Sequence, residues 1–516
     1  MATSYQTKAP GVYVEELQSA VKPIAAVGTS ITAFVGITAE ASRKALNPET
    51  GAREPVESRL NKATLVTSWT QYVDTFGGFL ADAYLPDAVY GFYNNGGGPC
   101  YVVSLRAVAE DASNAKSASV DVTAGGKKAF TVTATTAGES GNNLSVTVKN
   151  DVDKDGKPTG TFSLTIGGET KAGLAMKKGD GHVGDAEFAA ASISGVTGTA
   201  APDDGTYNLS GGGMPPLDVA DFVGDALERT GLAGLEALDD VSLLACPDIF
   251  SGYDGSDKAK ERVKSIQTAM ITHCELMGYR FALLDTPPGM NAQQAKEWRN
   301  YCNYDTSYAA MYYPWITVPD LTGSDSTSRN IPPSGYVVGV YNRTDSERGV
   351  HKAPANEIVR GAIDLELNLS RGEQDTLNPI GVNCIRAFTG RGIRIWGART
   401  LSSDTSWRYI NVRRLFIMIE ASMDQGLQWV VFEPNDYDLW QRVRRDVTTF
   451  LRMVWRSGAL FGRTEDEAFY VKVDEELNPS EVRDLGMLII EAGVCPVKPA
   501  EFVIFRISQW AGPNAG

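Results

Sequence analysis

Three short apolar runs decide the fold: VSLLAC at 241–246, FALLD at 281–285 and YAAMY at 308–312. Between the first two runs, apolar residues recur at the spacing of one helix face, namely Val263, Ile266, Met270, Cys274 and Met277. A second helical segment, through Trp298, separates the second run from the third. Strands that alternate with helices are typical of a mainly parallel sheet covered by helices. Residues 217–400 are therefore predicted to form an α/β core.

The chain on either side of this core is predicted to contribute to the same body. Residues 23–106 are interpreted as its N-terminal part. After Arg399 two apolar stripes at helical spacing predict two long helices. The first stripe contains Val412, Leu415, Phe416, Ile419 and Met423, and the second contains Leu439, Val443, Val447, Phe450, Leu451 and Val454. Residues 401–496 are predicted to form a helical or α+β domain.

Residues 107–216 differ in character, because large aromatic residues become scarce and Gly, Ser, Thr and Ala dominate. Short strand patterns recur between Gly-rich or Asp-rich turns, at 118–122, 130–134, 144–148 and 162–166. The segment is predicted to be an all-β insertion domain with polar outer faces, so the whole chain is expected to be multidomain, α/β and α+β.

Both chain ends contain an apolar strand pattern with no hairpin partner nearby. The predicted N-terminal arm, 1–22, carries Val12, Tyr13, Val14 and Glu15, and the C-terminal arm, 497–516, carries Phe502, Val503, Ile504, Phe505 and Ile507. One interpretation is that each strand pairs within its own domain. The other is that both leave the subunit and complete sheets in neighbouring copies.

Composition and charge exclude several classes of protein. The 516 residues are 43% hydrophobic and 22% charged, as in folded proteins. No apolar run approaches the ~20 residues that span a bilayer, and the opening residues MATSYQTK lack the apolar stretch of a signal peptide. We therefore expect cytoplasmic assembly and no stable membrane insertion. The net charge of −15 argues against a nucleic-acid partner, whose phosphates require basic residues.

One segment runs against this acidic balance. Residues 386–460 hold 12 Arg, no Lys and 7 Asp plus Glu, a net charge of +5. This segment is either an ordinary solvated face or a docking surface for an acidic partner. Two candidate docking surfaces are a short helix after Asn478-Pro479, in which Asn478 is expected to cap the helix, and an Arg-rich helix. Their candidate residues are Glu481, Arg483 and Asp484 on the first and Arg442, Arg444 and Arg445 on the second.

No catalytic, cofactor or metal site is predicted. Asp285 follows an apolar strand, where nucleotide hydrolases place metal-binding carboxylates, but no P-loop or dinucleotide fingerprint accompanies it. The three histidines are dispersed, no C-x-x-C occurs, and the six cysteines are interpreted as small buried apolar residues. The alternative, an α/β hydrolase or nucleotide-binding enzyme on 217–400, lacks a convergent set of titratable residues.

Several segments, in chain order, resemble the tail sheath family of contractile phages and related injection systems. They are PGVYVEE at 10–16, PI at 23–24, AFVG at 33–36, FYNNGG at 92–97, CYVV at 100–103, PPSG at 332–335, VHKAPAN at 350–356, NPIGVN at 378–383, IRIWGARTL at 393–401, WRYINVRR at 407–414 and PVKPAEF at 496–502. Each is weak alone, but together they cover most of the chain outside the β insert.

The resemblance implies a structural protein rather than an enzyme, with a core that is subtilisin-like in fold and not catalytic. It implies hexameric rings stacked helically around an inner tube, which contract to drive the tube through a target envelope. The implied partners are further copies of the chain, the inner tube protein, and baseplate and tail-terminator or cap proteins of a virion tail or phage-tail-like particle. The terminal arms would pass strands to neighbouring copies, and the 107–216 insert would face outward. A non-contractile tube or S-layer subunit is the remaining structural alternative.

Overall fold

The computed structural model describes residues 24–506, except 49, 112–114, 154–156 and 325. The described chain divides into two compact units. The smaller unit contains residues 24–27 and 415–497, and the larger unit contains residues 28–414 and 498–506.

The first part of the larger unit forms one fully buried strand and the pieces that surround it. Its elements are β1 (Thr32–Thr38), β2 (Ser42–Leu46), β3 (Arg53–Ser58), β4 (Thr64–Val66), α1 (Trp69–Phe76), α2 (Leu85–Asn94), β5 (Cys100–Ala107) and α3 (Val108–Asp111). All seven residues of β1 are buried, as expected for a strand covered on both faces. Strands β2 and β3 pair as an antiparallel hairpin, in which β3 is exposed along its length.

The segment after α3 forms two antiparallel sheets with a core of their own. Its strands are β6 (Ser117–Ala124), β7 (Lys127–Ala137), β8 (Ser145–Val152), β9 (Pro158–Ile166), β10 (Glu169–Leu174), β11 (Ala191–Ser194) and β12 (Gly205–Asn208), with 3₁₀ turns at Glu139–Asn143 and Val183–Asp185. The sheet orders are β10-β9-β8-β12 and β11-β7-β6. Buried and exposed residues alternate along these strands, and the rings of Phe130 and Phe162 stack 6.4 Å apart in the core. Three of the four predicted strand patterns of this segment fall within β6, β7 and β9, and the fourth, 144–148, falls in β8 except for Leu144.

The remainder of the larger unit alternates strands and helices as the sequence predicts. Its elements are α4 (Val219–Val223), β13 (Leu243–Ala245), α5 (Asp257–Met277), β14 (Phe281–Asp285), α6 (Ala292–Cys302), β15 (Ala309–Tyr313), β16 (Ile316–Pro319), β17 (Ser328–Ile331), α7 (Ser334–Arg348), β18 (Asp364–Leu365), α8 (Arg371–Leu377), β19 (Val382–Phe388), β20 (Gly392–Trp396) and α9 (Ile410–Gly426), with 3₁₀ turns at Ala233–Ala237, Pro247–Phe250 and Asn378–Ile380. Helix α5 begins where the Ser256 side chain accepts the Ala259 N–H, and it ends at Gly278, whose φ of 71° favours glycine.

The centre of the larger unit is an eight-stranded sheet in the order β20-β19-β15-β14-β13-β1-β5-β4. The six strands from β19 to β5 are parallel to their neighbours, and only the two edge strands, β20 and β4, are antiparallel. Every residue of β13, β14 and β15 is buried, because helices cover both faces of a parallel sheet. The structure is therefore a mixed α/β fold with a large, mainly parallel sheet and additional antiparallel sheets.

The main segment of the smaller unit begins within α9, after Arg414. Its further elements are a 3₁₀ turn at Gln428–Val430, α10 (Tyr437–Arg456), α11 (Glu465–Ala468), β21 (Phe469–Lys472), α12 (Ser480–Asp484) and β22 (Glu491–Val494). The Asp436 side chain caps α10 by accepting the Leu439 N–H at 2.8 Å. The second apolar stripe predicted from the sequence is buried on α10, and β21 and β22 form a separate antiparallel hairpin.

Five of the six cysteines are buried, as predicted, but Cys495 is exposed. The prediction for Cys495 was wrong because its apolar neighbours belong to the end of the β21–β22 hairpin, which leaves this side chain on the surface.

Candidate assembly surfaces

The predicted C-terminal arm is an exposed apolar run in the larger unit. The side chains of Phe502, Val503, Ile504 and Phe505 are 71%, 71%, 78% and 83% exposed. Residues 501–506 lie in no strand, so the lone strand predicted there does not form within the described part of the chain. A strand requires a partner for its backbone hydrogen bonds, and the described residues provide none for this run. Ile507 and the N-terminal arm residues Val12, Tyr13, Val14 and Glu15 lie outside the described residues.

The β21–β22 hairpin of the smaller unit is a sheet of two strands. Within the described chain each strand has only the other as its ladder partner, so both outer edges are open. The hairpin is tightly closed across its middle, since the Tyr470 ring lies over Gly493 and leaves no space for a Cβ there. Two strands alone are marginally stable in water, and open edges are templates for further strands. Sequence reasoning missed this hairpin, although the run Phe469-Tyr470-Val471 has strand composition.

Helix α10 presents a basic face opposite its buried stripe. Gln441, Arg444, Arg445, Thr448, Thr449 and Arg452 line a shallow groove along this face. Their spacing of three and four residues places them on one side of the helix. Two of the three predicted docking residues on this helix, Arg444 and Arg445, therefore share one exposed surface.

The arginines of α10 differ in how they are held. Arg442 pairs with Glu433 at 3.7 Å and stacks over the Trp429 ring at 5.5 Å. Arg445 lies 3.2 Å from the buried carboxylate of Asp446. Arg444 has no ion pair among the described side chains, so its charge is the least compensated of the three.

The second candidate surface, helix α12, is only five residues long. Glu481 and Asp484 are exposed, whereas Arg483 is half-buried. The predicted cap is wrong, because Pro479 and not Asn478 is the residue before the helix. Asn478 is instead buried and bonded to Ile489, whose N–H it accepts at 2.6 Å and to whose carbonyl it donates at 2.9 Å. Its side chain therefore ties the segment after α12 to the segment before it.

Asp285, the carboxylate weighed for catalysis, is a buried structural acceptor. It accepts the N–H of Ser334, the first residue of α7, at 2.9 Å. Burial raises its pKa to about 7, although the hydrogen bonds from Ser334 oppose the shift. Among the described side chains, no group of three or more His, Cys, Asp or Glu residues is placed to hold a metal ion. In the same part of the chain, no helix has the length and apolar character needed to cross a membrane.

Comparison with known proteins identifies two family regions. Residues 232–401 match the phage tail sheath protein central domain, and residues 402–509 match the phage tail sheath C-terminal domain. A putative prophage major tail sheath protein of Pseudomonas aeruginosa (strain UCBPP-PA14) is 25% identical over 259 residues, which are 48% of this chain and 64% of that protein. The alignment thus spans slightly less than two thirds of the relative.

Two solved structures resemble the chain over nearly its whole length. The helical sheath of the anti-feeding prophage, in the contracted state, is 25% identical with a TM-score of 0.58, and the match covers 98% of this chain and 99% of that one. The sheath complex of PVC, an extracellular contractile injection system, also in the contracted state, gives 24% identity and a TM-score of 0.59, with 98% of each chain covered, and shows the shared fold. Because the two domain matches together span more than half of the 516 residues and follow one another without a gap, the chain belongs to the phage tail sheath family.

Proposed function

We propose that this chain is the structural subunit of a contractile sheath, which stacks as hexameric rings around an inner tube and shortens to drive the tube through a target envelope. Membership of the tail sheath family supports the structural role. The observation that carries the proposal is the exposed apolar run at 502–505, in a chain that also offers an open-edged two-stranded sheet. Strand addition from one copy to the next would satisfy both features.

The energies are appropriate for a tether between copies. Four or five added backbone hydrogen bonds contribute about 0.5–1.5 kcal/mol each. Burial of an apolar side chain such as Phe502 or Ile504 adds about 1.5–3 kcal/mol. Such a link holds neighbouring subunits together, while the orientation of their bodies is set by other contacts. Rings joined in this way can rotate relative to one another, and the sheath can shorten, without the rings separating.

A proline at the centre of the arm tests strand addition. Ile504→Pro removes a backbone N–H that an added strand donates, whereas Ile504→Ala removes more apolar surface than the proline does but keeps the N–H. Negative-stain microscopy of the full-length protein is expected to show long hollow cylinders for the wild type and markedly fewer for the proline variant, with the alanine variant between them. Equal assembly of all three proteins would contradict strand addition at this residue.

The alternation of side chains provides a second test of the same idea. In a strand, Phe502 and Ile504 point to one face and Val503 and Phe505 to the other. If the run adds as a strand to a sheet with one covered face, only one of these two pairs is buried. The double variants Phe502→Ser/Ile504→Ser and Val503→Ser/Phe505→Ser are therefore expected to differ clearly in assembly yield. Equal losses would indicate an apolar contact without strand geometry.

The exposed basic face of α10 is proposed to dock the inner tube protein, with α12 as the other candidate surface. Arg444→Glu/Arg445→Glu is expected to reduce co-assembly with the tube protein at low salt, where screening is weakest. Lys177→Glu/Lys178→Glu makes the same charge change on the β insert and serves as the matched control. The reversals Glu481→Lys/Asp484→Lys test α12 in the same assay. If all three double variants bind the tube as the wild type does, neither helix docks it.

The extended sheath is proposed to be metastable, so that contraction increases the area buried between subunit bodies. Calorimetry of triggered particles is expected to record a favourable and irreversible transition. Re-extension without an energy source would contradict this part of the proposal.

The proposal also includes the finer features that the family resemblance implies. These are a core of subtilisin-like fold without catalysis, an outward-facing insert at 107–216, association with baseplate and terminator proteins, and assembly in the bacterial cytoplasm. The mainly parallel sheet and the separate core of the insert support the first two.

A further inference from the structure

The last residue before the exposed apolar run is held unusually firmly. The Glu501 carboxylate accepts hydrogen bonds from Arg399 Nε at 2.9 Å, Arg399 Nη2 at 2.7 Å, Asn378 Nδ2 at 2.6 Å and the Tyr409 hydroxyl at 3.1 Å. The Arg399 contact is a two-pronged pair of the geometry that guanidinium and carboxylate groups favour. The side chains of Arg399 and Glu501 are only 11% and 17% exposed. The two oxygens of the Glu501 carboxylate thus accept four hydrogen bonds.

The Glu501 socket, formed by Arg399, Asn378 and Tyr409, is built from the body of the larger unit. Arg399 is fixed through its backbone, whose N–H donates to Asn383 Oδ1 at 2.8 Å and whose carbonyl accepts from Asn383 Nδ2 at 2.7 Å. Asn383 lies on β19, and Gly397 packs so closely against it that a Cβ would fall 2.7 Å from Asn383 Oδ1. The central sheet therefore positions the guanidinium independently of the arm.

The charge state of the pair is favourable for such a socket. Burial pulls the pKa of Glu501 upward, but the hydrogen bonds from Arg399 and Asn378 and the positive charge of Arg399 together hold it below its usual value. The carboxylate is therefore ionised at neutral pH, and the pair is partly shielded from water, where ion pairs are screened less than on an open surface.

Exposure changes abruptly at the next residue. Glu501 is 17% exposed, whereas Phe502 is 71% exposed. We propose that the Glu501 socket is a positioning device that fixes the root of the C-terminal arm, so that residues from Phe502 onward are presented to a second copy of this chain. This inference rests on the proposed function, because it assigns a role to Glu501 in strand addition.

Fixing the root of the arm reduces the number of residues that must be ordered when the arm binds. The next residue held upstream is Val497, whose N–H donates to Ala459 O at 3.1 Å. Without the Glu501 contacts, the arm would gain four free residues, or about 13 Å of reach at ~3.3 Å per residue. Each residue that must be ordered on binding weakens the association. Loss of the socket is therefore expected to reduce arm-dependent association by about tenfold or more.

The test combines two measurements on the full-length protein. Hydrogen exchange of the Val497 N–H, which donates to Ala459 O just before the root, reports in the unassembled chain whether the root is fixed. Microscopy reports assembly yield against concentration. Glu501→Ala and Arg399→Ala are expected to speed exchange about tenfold or more and to raise the concentration needed for assembly by a similar factor. Lys498→Ala, at an exposed neighbouring position, is expected to change neither quantity.

One further variant and one control measurement separate positioning from a general loss of structure. The exchanged pair Arg399→Glu/Glu501→Arg is expected to restore part of the protection and part of the assembly, and unchanged exchange at 281–285 shows that the core is folded. Faster exchange with wild-type assembly, or no change in exchange for Glu501→Ala, would overturn the inference. Removal of 502–516 tests the proposed function separately: if that chain assembles normally, strand addition by this arm fails, while the exchange result still decides whether Glu501 fixes the root.

Discussion

The eight-stranded sheet and the β insert of the larger unit bury their apolar residues in different ways. Strands β13, β14 and β15 are buried on both faces. Strands of the insert alternate between buried and exposed residues and face solvent on one side. The core of the insert draws all its buried residues from 118–209. The central sheet therefore depends on residues spread over much of the chain, and the insert depends on itself.

The two regions also differ in their electrostatics. In the body around the sheet, burial raises the pKa of Asp248 and of Asp285 to about 7. In the insert, the pKa of Asp203 lies below its usual value because it accepts the Gly125 N–H, and that of Asp121 does so because it bonds Lys128. These two pairs of carboxylates therefore contribute to stability with opposite dependence on pH.

The largest expected effect is the loss of a ring from the central sheet. Phe34 lies on β1, an interior strand, is fully buried and packs edge-on against Phe92 at 5.3 Å. Phe34→Ala is expected to lower the free energy of unfolding by about 3–5 kcal/mol, the usual cost of deleting a buried Phe. Chemical denaturation of the unassembled full-length chain measures this loss.

The matched control removes the same ring from the insert. Phe162→Ala is expected to destabilise the insert by a similar amount, yet to leave hydrogen exchange of the peptide at 281–285 unchanged. If exchange at β14 rises as much as it does for Phe34→Ala, the two regions unfold together and the comparison fails.

The next effect is the pH dependence of the central body. A carboxyl whose pKa is raised on folding stabilises the protein at low pH, and that contribution is lost as pH rises through the folded pKa. For Asp285, raised from 3.8 to about 7, this contribution amounts to at most about 4 kcal/mol between pH 4 and pH 8. The free energy of unfolding is therefore expected to fall with rising pH across this range more steeply in the wild type than in Asp285→Asn.

Asp285→Asn suits this comparison because the amide keeps an oxygen that can accept the Ser334 N–H, which lies 2.9 Å from Asp285 Oδ1 in the wild type. The wild-type slope is not removed completely, since Asp248 contributes with the same sign. Asp203→Asn in the insert is the control and is expected to leave the slope of the central body unchanged between pH 5 and pH 8. Identical slopes for the wild type and Asp285→Asn would show that Asp285 does not titrate on unfolding in this range.

The sequence predicts the central body well because its signals are local. The runs at 241–246 and 281–285 contain β13 and β14, and the two helical stripes after Arg399 lie on α9 and α10. Continuous apolar runs joined by one-sided helices allow few arrangements other than a covered parallel sheet. Sequence reasoning missed the antiparallel edge strand β20, although only three residues separate it from β19 and so short a connection indicates a hairpin.

The candidate surfaces are less predictable because they depend on distant partners. Glu501 is an ordinary residue in the sequence, and its socket is formed by Arg399, 102 positions away. Asn478 resembles a cap, yet its side chain is taken by Ile489, eleven positions later. Such assignments are decided by which donor lies nearest in the folded chain, and spacing along the sequence does not contain that information.

The smallest expected effect follows from the largest change, removal of the insert. The ends of the insert meet, because Lys116 and Gly213 exchange backbone hydrogen bonds of 2.9 and 3.0 Å. Such a pair can be joined by a two-residue Asn-Gly turn, which matches the twist of an antiparallel pair. A chain in which Asn-Gly replaces 117–212 is expected to keep the stability of the central body within about 0.5 kcal/mol.

Since the arm, the hairpin and the basic face of α10 all lie outside the deleted segment, hollow cylinders are expected to form as before, with a thinner outer wall. Loss of assembly would show that the insert contributes contacts between copies, and the independence that its closed core indicates would then hold for folding alone.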